Sequence, residues 1–479
     1  MRKTKIIATL GPATDDPDVL HKMLSSGLDV ARFNFSHGDY ESHKIRIDNF
    51  RDTCNETHST VALLADTKGP EIRLGKFDGG KAELSSGKKF TLTTEDIIGN
   101  STQASVTYEG LPADVDTGTR ILLDDGLIEL IVESVSGANI TTRIINGGKI
   151  SDRKGVNVPG VKLEMPYISA KDRADIRFFV ENRFDFIAAS FVRSADDVNE
   201  IRDELNRIDS KCSIKIISKI ENAEGVSNID SILKVSDGIM VARGDLGVEV
   251  EYEELPIIQK NLIQRSVQMG KPVITATQML ESMINNPRPT RAETSDVANA
   301  IYDGTSAIML SGETATGKYP AEALAAMAKI AERIERAIDY RQNFFRRGER
   351  KAEQSITNAI SHATVTTSHD LDTAAILTVS MSGNTAHYVS KFRPKCPIIA
   401  CTPDPVARRQ LKLAWGVVPL LTKPETDTSA LFNSAVTCAK NAGIIKEGEL
   451  IVLTAGVPVG HSGTTNMIKV HVVGENILV

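Results

Sequence analysis

The sequence alternates between short apolar runs and helix-compatible stretches, and this alternation limits the folds that the chain can adopt. Eight runs end in small or polar residues: Thr4–Gly11, Leu28–Ser36, Thr60–Gly69, Phe184–Val192, Ser213–Glu221, Asp237–Asp245, Lys271–Met279 and Thr305–Glu313. Runs this continuously apolar are typical of parallel strands covered on both faces. Amphipathic stretches predicted to be helical, such as Asp18–Ser26, Tyr252–Met269 and Pro320–Tyr340, follow these runs. Eight strand–helix units over roughly 250 residues predict an α/β fold, a TIM (β/α)8 barrel.

A doubly wound open sheet is the alternative fold. Its dinucleotide-binding fingerprint, Gly-x-Gly-x-x-Gly, follows none of the eight runs. Residues 312–318 have the spacing of a phosphate-binding P-loop, but Tyr319 stands where a Ser or Thr should ligate Mg²⁺. Because Pro320 follows at once, we interpret this segment as a strand-to-helix turn with the proline near the helix start.

The alternation is interrupted between the third and fourth runs. Residues 70–156 are rich in Gly, Thr and Val, with turn signals at Asp78–Gly80, Asp125–Gly126 and Asn146–Gly148. Short strands at hairpin spacing predict a small inserted β-barrel or sandwich. Residues 1–69 and 157–340 would then form the TIM barrel, and 341–479 a C-terminal α/β domain that begins with a charged linker at 346–351. Its expected strands, parallel except at the end, are Thr373–Ser380, Cys396–Thr402, Val417–Leu421, Glu449–Thr454 and Met467–Val473.

Composition excludes two classes of partner. Lys and Arg number 56 against 62 Asp and Glu, without a basic stripe, and only 5% of residues are aromatic, so nucleic-acid binding is not expected. No apolar run approaches the roughly 18 residues of a membrane span. The first run stops at Gly11, too early for a secretory signal, and the five cysteines are scattered. We therefore expect a cytoplasmic protein that binds neither nucleic acid nor membrane.

Polar residues at the ends of the predicted strands are the candidates for catalysis, because a TIM barrel carries its active site there. Lys219 and Glu221 alternate onto the same side of the fifth strand, and Asp245 ends the sixth. Two carboxylates, water and a substrate phosphate are a common ligand set for Mg²⁺. A salt-bridge network that also includes Arg243 is the alternative, and spacing alone leaves both open.

A second group of polar residues lies at the ends of strands two and three. One carboxylate with neutral oxygens suits a weakly charged, hard cation, whereas capping of the following helices is the alternative. This group comprises Asn34, Ser36, Asp66 and Thr67. Nearby, Arg32 and Arg73 provide planar guanidinium groups suited to phosphate or carboxylate.

Six motifs resemble those of the pyruvate kinase family, in the same order and through most of the chain. They are Arg32–Gly38, Asp66–Arg73, Ile217–Asn222, Met240–Gly247, Ile274–Met283 and Asn286–Glu293. The resemblance implies phosphoryl transfer from phosphoenolpyruvate to ADP, giving pyruvate and ATP in the last step of glycolysis. It also implies a homotetramer and an inserted domain that acts as a lid.

The resemblance further assigns roles to individual residues. The implied catalytic residues are Lys219, Arg32, Arg73 and Thr277, with Gly244 and Asp245 as further substrate contacts. The implied nucleotide contacts are Asn34, His37, Arg73 and Lys154. The implied ligands are Glu221 and Asp245 for Mg²⁺, or Mn²⁺ as a substitute, and Asn34, Ser36, Asp66 and Thr67 for K⁺. Glu71 implies K⁺ dependence, because K⁺-independent relatives carry Lys at this position.

A loop in the C-terminal domain resembles the family's effector site. It follows a strand and opens a helix, so its backbone N–H groups could bind an anion. The residues implied to bind a phosphorylated allosteric effector are Ser380, Ser382, Gly383, Asn384 and Thr385. A plain helix cap is the alternative. Met381 and Asn384 replace basic residues of relatives regulated by fructose bisphosphate, so the effector's identity stays open.

Two other functions compete with the kinase. A Mg²⁺-dependent carbon–carbon lyase that forms a pyruvate enolate would use Lys219, Glu221 and Asp245, but it leaves Arg73 and Lys154 of the inserted region unexplained. A non-catalytic metabolite sensor with the same barrel is opposed by the presence of every expected catalytic side chain.

Overall fold

Eight parallel strands form a closed barrel in which the first strand pairs with the eighth, Lys5 opposite Ala307. The computed structural model describes residues 1–348, 355–425, 427–458 and 465–477. Barrel strands one to eight are Lys5–Thr9, Val30–Asn34, Ala62–Asp66, Phe186–Ala189, Lys215–Ile220, Gly238–Ala242, Val273–Ala276 and Ala307–Leu310. Each lies inside one of the eight predicted runs. The TIM barrel is therefore confirmed, and the open sheet is wrong.

Helices cover the outside of this barrel. They are Pro17–Ser25, Tyr40–Glu56, Ala170–Glu181, Ala195–Ile208, Ala223–Ser227, Ile229–Val235, Arg243–Glu249, Leu255–Gln268, Arg291–Asp303, Gly312–Ala315 and Pro320–Glu335. Side-chain caps fix several starts; Ser169, for example, accepts the backbone N–H of Asp172. The last helix begins at Pro320, as interpreted from the sequence, but the P-loop-like segment before it is more than a turn, because it includes the short helix Gly312–Ala315.

One helix prediction was too long. The stretch from Pro320 to Tyr340 is not a single helix, because the helix ends at Glu335 and another begins at Tyr340. The carboxylate of Asp339 accepts the backbone N–H of Gln342 at 2.9 Å, which caps the start of this second helix.

The inserted region is a small closed β-structure, as expected. Its strands are Ile72–Arg73, Lys81–Leu84, Lys89–Thr93, Gln103–Ser105, Arg120–Leu123, Ile128–Ser136, Asn139–Asn146, Gly148–Ser151 and Gly155–Asn157, with one short helix, Leu111–Asp114. Seven of these strands form one sheet, and its two edge strands meet where Leu74 bridges Val106. The backbone N–H of Gly75 also donates to the carbonyl of Ser105 at 2.8 Å. A hydrophobic core of its own, separate from that of the TIM barrel, fills this region.

The C-terminal region is a five-stranded α/β layer. Its strands are Ala375–Val379, Ile398–Thr402, Val417–Leu421, Leu450–Ala455 and Met467–Val472, and its helices are Tyr340–Gly348, Ile356–Asp370, Asn384–Lys391, Pro405–Gln410 and Thr428–Asn441. Only the last strand is antiparallel, as predicted. The predicted linker is wrong at 346–348, which are helical, and its remainder, 349–351, lies outside the described residues.

The C-terminal domain closes the barrel at the amino ends of its strands. Leu413 belongs to the apolar cluster that fills the barrel interior. Arg409 pairs with Asp185 at 2.9 Å, and Lys412 pairs with Asp29 at 3.1 Å. None of the described helices has both the length and the apolar character needed to cross a membrane.

Candidate active site

A buried cluster of charged groups lies at the mouth of the barrel. The Nζ atom of Lys219 is 3.1 Å from Oδ1 of Asp66 and 3.0 Å from Oε1 of Glu221. The Nε atom of Arg32 donates to Oδ2 of Asp66 at 2.7 Å. All four side chains belong to residues that are at least nine-tenths buried. Two cations and two carboxylates from the ends of three strands thus form one cluster.

The charge state of Lys219 and Asp66 follows from their contact. Burial lowers the pKa of Lys219, but the carboxylates of Asp66 and Glu221 outweigh it and raise this pKa above its usual value. Burial raises the pKa of Asp66, but Arg32 and Lys219 outweigh it, so this pKa lies below its usual value. Lys219 therefore keeps its positive charge at neutral pH.

Glu221 differs from Asp66. Burial raises the pKa of Glu221 to about 8, helped by Asp245 and Asp66 and opposed by Lys219. Its Oε2 atom accepts the backbone N–H of Phe191 at 2.6 Å, while its buried Oε1 contacts Lys219 without hydrogen-bond geometry. A buried carboxylate oxygen without a hydrogen bond fits a metal ligand, because a cation would favour the charged carboxylate.

The donor set at this position suits a hard divalent cation. Asp245 lies in the first turn of the helix Arg243–Glu249 and provides the second carboxylate. Within the described residues, no group of three or more His, Cys, Asp or Glu side chains could hold a metal ion. Two carboxylates completed by water and substrate oxygens are a ligand set typical of Mg²⁺ rather than of a transition metal.

Of the alternative salt-bridge network, the contact between Lys219 and Glu221 forms, but Arg243 does not take part in it. The Nη1 atom of Arg243 pairs with Asp296 at 2.7 Å, and its Nη2 donates to the carbonyl of Thr277 at 2.5 Å. Arg243 therefore supports the end of the seventh strand instead of joining the cluster.

Thr277 and Gly244 are brought together by a strained turn. Thr277 and Gln278 have φ of 63° and 53°, a left-handed conformation that is rare for a β-branched residue. The Thr277 hydroxyl oxygen accepts the backbone N–H of Gly244 at 2.9 Å and donates to the carbonyl of Ala276 at 2.7 Å. Strain of this kind is concentrated at functional sites.

Two of the four residues predicted to bind a monovalent cation lie side by side at the barrel mouth. Asn34 and Asp66 are register partners on strands two and three, and the amide oxygen of Asn34 accepts the backbone N–H of Ser36 at 3.1 Å. Thr67 directly follows Asp66 and is buried. The capping alternative is wrong, because Asp39 caps the helix after strand two and a strand, not a helix, follows Thr67.

A cleft of about 720 Å³ lies between the inserted region and the barrel mouth. His37, Arg73, Lys154 and Asp245 line it together with Glu71. Arg73 forms a two-pronged contact with Glu71 at 2.6 and 2.7 Å. The predicted nucleotide contacts His37, Arg73 and Lys154 therefore share one cavity, whereas the fourth, Asn34, is not among the residues that line it.

Three residues near the site were missed from the sequence. Ser190 and Phe191 directly follow the fourth strand, and they contact Lys219 and Glu221, respectively. Ser190 is a polar residue directly after the fourth strand, so the criterion that identified candidates at the other strand ends also applies to it. Asp125 was predicted only as a turn residue, yet burial and the charge of Asp245 across the cleft raise its pKa.

The predicted effector loop does not present its five residues to a single surface. Ser382 and Asn384 line a cavity of about 190 Å³ between the C-terminal domain and the barrel. The Thr385 hydroxyl instead contacts that of Thr465 at 2.8 Å, and Ser380 accepts the backbone N–H of Gly383. No side chain caps the helix Asn384–Lys391, so a plain side-chain cap is wrong.

Comparison with known proteins covers both halves of the chain. Family models described as "Pyruvate kinase, barrel domain" and "Pyruvate kinase, alpha/beta domain" match residues 1–324 and 358–471. A pyruvate kinase of Geobacillus stearothermophilus is 52% identical over 99% of this chain and 81% of its own length. One from Staphylococcus aureus strain MRSA252 is 49% identical over 100% of this chain and 81% of its own length. The solved structure of a pyruvate kinase from Cryptosporidium parvum has a TM-score of 0.93 and 41% identity, covering 98% of this chain and 96% of that one.

Proposed function

Since the chain belongs to the pyruvate kinase family and transfers a phosphoryl group from phosphoenolpyruvate to ADP, we propose that the buried cluster around Lys219 is where this reaction takes place. The observation that carries the proposal is the contact of Lys219 with Asp66 and Glu221, which keeps the ammonium charged in a buried site. Phosphoryl transfer needs mainly positioning and fixed charge, and this cluster provides both.

Each side chain of the cluster has a distinct role. Lys219 stabilises the negative charge that develops on the phosphoryl and enolate oxygens, and Arg32 orients the phosphate. Arg32 is itself held by Asp66 at 2.7 Å and by the hydroxyl of Thr9 at 2.9 Å. Groups fixed in this way need no rearrangement during the reaction, which is the basis of electrostatic catalysis.

Two cations complete the proposed site. Glu221 and Asp245 would hold Mg²⁺ or Mn²⁺, and Asn34, Ser36, Asp66 and Thr67 would hold K⁺. When bound, these ions supply positive charge beside the transferring phosphoryl group. Gly244, Asp245 and Thr277 would hold phosphoenolpyruvate at the same end of the barrel.

The inserted region acts as a lid in this proposal. His37, Arg73 and Lys154 line the cleft and would bind the nucleotide. Asn34, at the end of the second strand, would contact it from the barrel. Closure of the lid would exclude water, which could otherwise accept the phosphoryl group. The lyase alternative gives Arg73 and Lys154 no such role.

Regulation, assembly and location are further parts of the proposal. A phosphorylated effector would bind at the loop that contains Ser380, Ser382, Gly383, Asn384 and Thr385, and the chain would act as a cytoplasmic homotetramer. The absence of a side-chain cap leaves the first N–H groups of the helix Asn384–Lys391 to an anion.

One assay tests the reaction and its cations together. Pyruvate formation from phosphoenolpyruvate is measured with and without ADP, in K⁺ and in Na⁺ buffer, each with and without Mg²⁺. We expect turnover only with ADP and Mg²⁺, and faster turnover in K⁺. Pyruvate released without ADP would contradict the kinase, ligand binding without turnover would favour the sensor, and equal rates in Na⁺ would contradict the K⁺ site.

A further inference from the structure

The turn that follows the fourth barrel strand contacts both Lys219 and Glu221. The Nζ atom of Lys219 donates to the hydroxyl oxygen of Ser190 at 2.8 Å. The Ser190 hydroxyl in turn donates to the carbonyl of Thr67 at 2.7 Å, with Oδ1 of Asp66 also within reach at 3.1 Å. Its lone pair is therefore directed at the ammonium.

Ser190 is held rigidly. The residue is 1% exposed, and its backbone N–H donates to the hydroxyl of Thr67 at 3.1 Å. Its carbonyl accepts the hydroxyl of Tyr167 at 2.9 Å. Gly69 packs so closely that a Cβ atom there would lie 2.9 Å from the Cβ of Ser190. The acceptor that Lys219 meets is thus fixed from three directions.

The neighbouring residue fixes Glu221. Phe191 has φ of 54°, which is a strained conformation for an aromatic residue. In this conformation its backbone N–H donates to Oε2 of Glu221 at 2.6 Å. The same turn therefore fixes the carboxylate of Glu221 through the backbone of Phe191 and the ammonium of Lys219 through the side chain of Ser190.

The hydrogen bonds of Lys219 show what this arrangement achieves. An ammonium has three N–H donors. In Lys219 two of them donate, one to Asp66 and one to Ser190, whereas the contact with Glu221 lacks hydrogen-bond geometry. Two fixed bonds set the rotation of the ammonium, and the third N–H is left for the substrate.

We infer that Ser190 is a positioning residue for Lys219: it fixes the ammonium so that one N–H is directed at the reacting oxygens. This inference rests on the proposed role of Lys219. It predicts that loss of the hydroxyl lowers kcat more than it changes the KM for phosphoenolpyruvate, because orientation counts most in the transition state.

A double-mutant cycle tests the inference. Ser190→Ala and Lys219→Met are measured singly and together, by kcat and KM, with full K⁺ and Mg²⁺. We expect Ser190→Ala to lower kcat about tenfold, the scale of one hydrogen bond to a charged group. In the Lys219→Met background it should have no further effect, because no ammonium remains to be oriented.

Matched variants separate positioning from structural support. Ser218 is equally buried beside Lys219, but its hydroxyl contacts that of Ser236 at 2.6 Å, so Ser218→Ala should keep the wild-type kcat. Ser190→Cys keeps a side chain of similar shape with a weak acceptor and should resemble Ser190→Ala. An equal loss from Ser190→Ala in both backgrounds, or none in the wild type, would overturn the inference. Nearly normal kcat in Lys219→Met alone would instead contradict the proposed role of Lys219.

Discussion

Lys219 is the residue on which the proposed chemistry depends most, because its buried ammonium contacts both carboxylates of the cluster, Asp66 and Glu221. Lys219→Met removes the charge and keeps much of the apolar stem. We expect kcat to fall by ~10²–10³, the usual effect of losing one preorganised electrostatic group. Steady-state kinetics measures this. A loss smaller than about tenfold, or roughly 1.4 kcal/mol, would show that Lys219 does not stabilise the transition state.

His387 gives the protein a pH dependence at the base of the barrel. It lines the cavity between the C-terminal domain and the barrel, where Lys215, Lys271 and Asp237 face it. Burial, together with Lys215 and Lys271, lowers the pKa of His387 to about 4, against the opposing effect of Asp237. Between pH 6.5 and 4 the unfolded chain binds a proton that the folded chain does not. The free energy of unfolding should therefore fall as the pH is lowered through this window.

Replacing the imidazole tests this dependence. We expect the melting temperature of His387→Asn to fall less than that of the wild type between pH 7.5 and 5. In free energy of unfolding, one histidine can account for at most about 1.4 kcal/mol per pH unit. Melting is followed by the fluorescence of Trp415, the only tryptophan in the chain. The exposed His58 provides a control, because His58→Asn should keep the wild-type profile. Identical profiles for His387→Asn and the wild type would contradict the prediction.

The sequence predicted most residues of the candidate site but not how they are held. The motif that contains Lys219 and Glu221 could be recognised because charged residues stand at the end of an otherwise apolar strand. Ser190 is small and neutral, and nothing in its neighbourhood indicates a positive φ at Phe191. Arg243 was placed in the wrong network, because its actual partner Asp296 lies on a helix 53 positions further along the chain.

At the scale of single elements, strands were easier to predict than breaks between helices. All eight barrel strands lie within their apolar runs, since burial on both faces leaves few polar residues inside a strand. The helix from Pro320 was predicted to be too long, because the apolar pattern continues beyond its end at Glu335 into the next helix. The carboxylate of Asp339 caps the start of that next helix.

The loop after strand three is expected to tolerate no side chain at Gly69. Its φ of 69° is left-handed, and a Cβ there would also lie 2.9 Å from both the Cβ and the carbonyl oxygen of Ser190. Gly69→Ala should lower the melting temperature and kcat together, because it displaces the turn at Ser190. Thermal melting and steady-state kinetics on the same preparation measure both effects.

Gly87 separates backbone strain from the steric effect. It has a similar φ of 78°, but no atom lies within 4 Å of where its Cβ would be. Gly87→Ala should therefore cost only about 1 kcal/mol of stability and leave kcat unchanged. If Gly69→Ala behaves like Gly87→Ala, close packing against Ser190 has no functional importance.

At the scale of the whole molecule, the C-terminal domain completes the core of the barrel. Leu413 belongs to the apolar cluster to which all eight barrel strands contribute, although it lies in a separate domain. Local patterns could not reveal this contact, because the segment that contains Leu413 is a 3₁₀ helix of only three residues, Leu411–Leu413, between a helix and a strand.

Leu413→Ala should therefore destabilise the barrel as well as its own domain. Loss of a buried leucine costs about 2–5 kcal/mol. We expect one melting transition at a lower temperature, with an earlier change in the fluorescence of Trp415, two positions away. Leu421→Ala provides a control, because Leu421 is 45% exposed in the same domain. Separate transitions for barrel and C-terminal domain in the wild type would contradict this prediction.

The strands by which the chain enters and leaves the lid are paired with each other, Ile72 with Val156 and Arg73 with Gly155. A lid attached by two independent loops could tilt, twist and slide. A paired ribbon resists twisting and sliding, which leaves bending across its plane as the main freedom. Arg73 and Lys154 would then approach the barrel mouth along nearly the same path in every closure. Only one coordinate, the bending angle, would have to be sampled before both side chains reach a nucleotide.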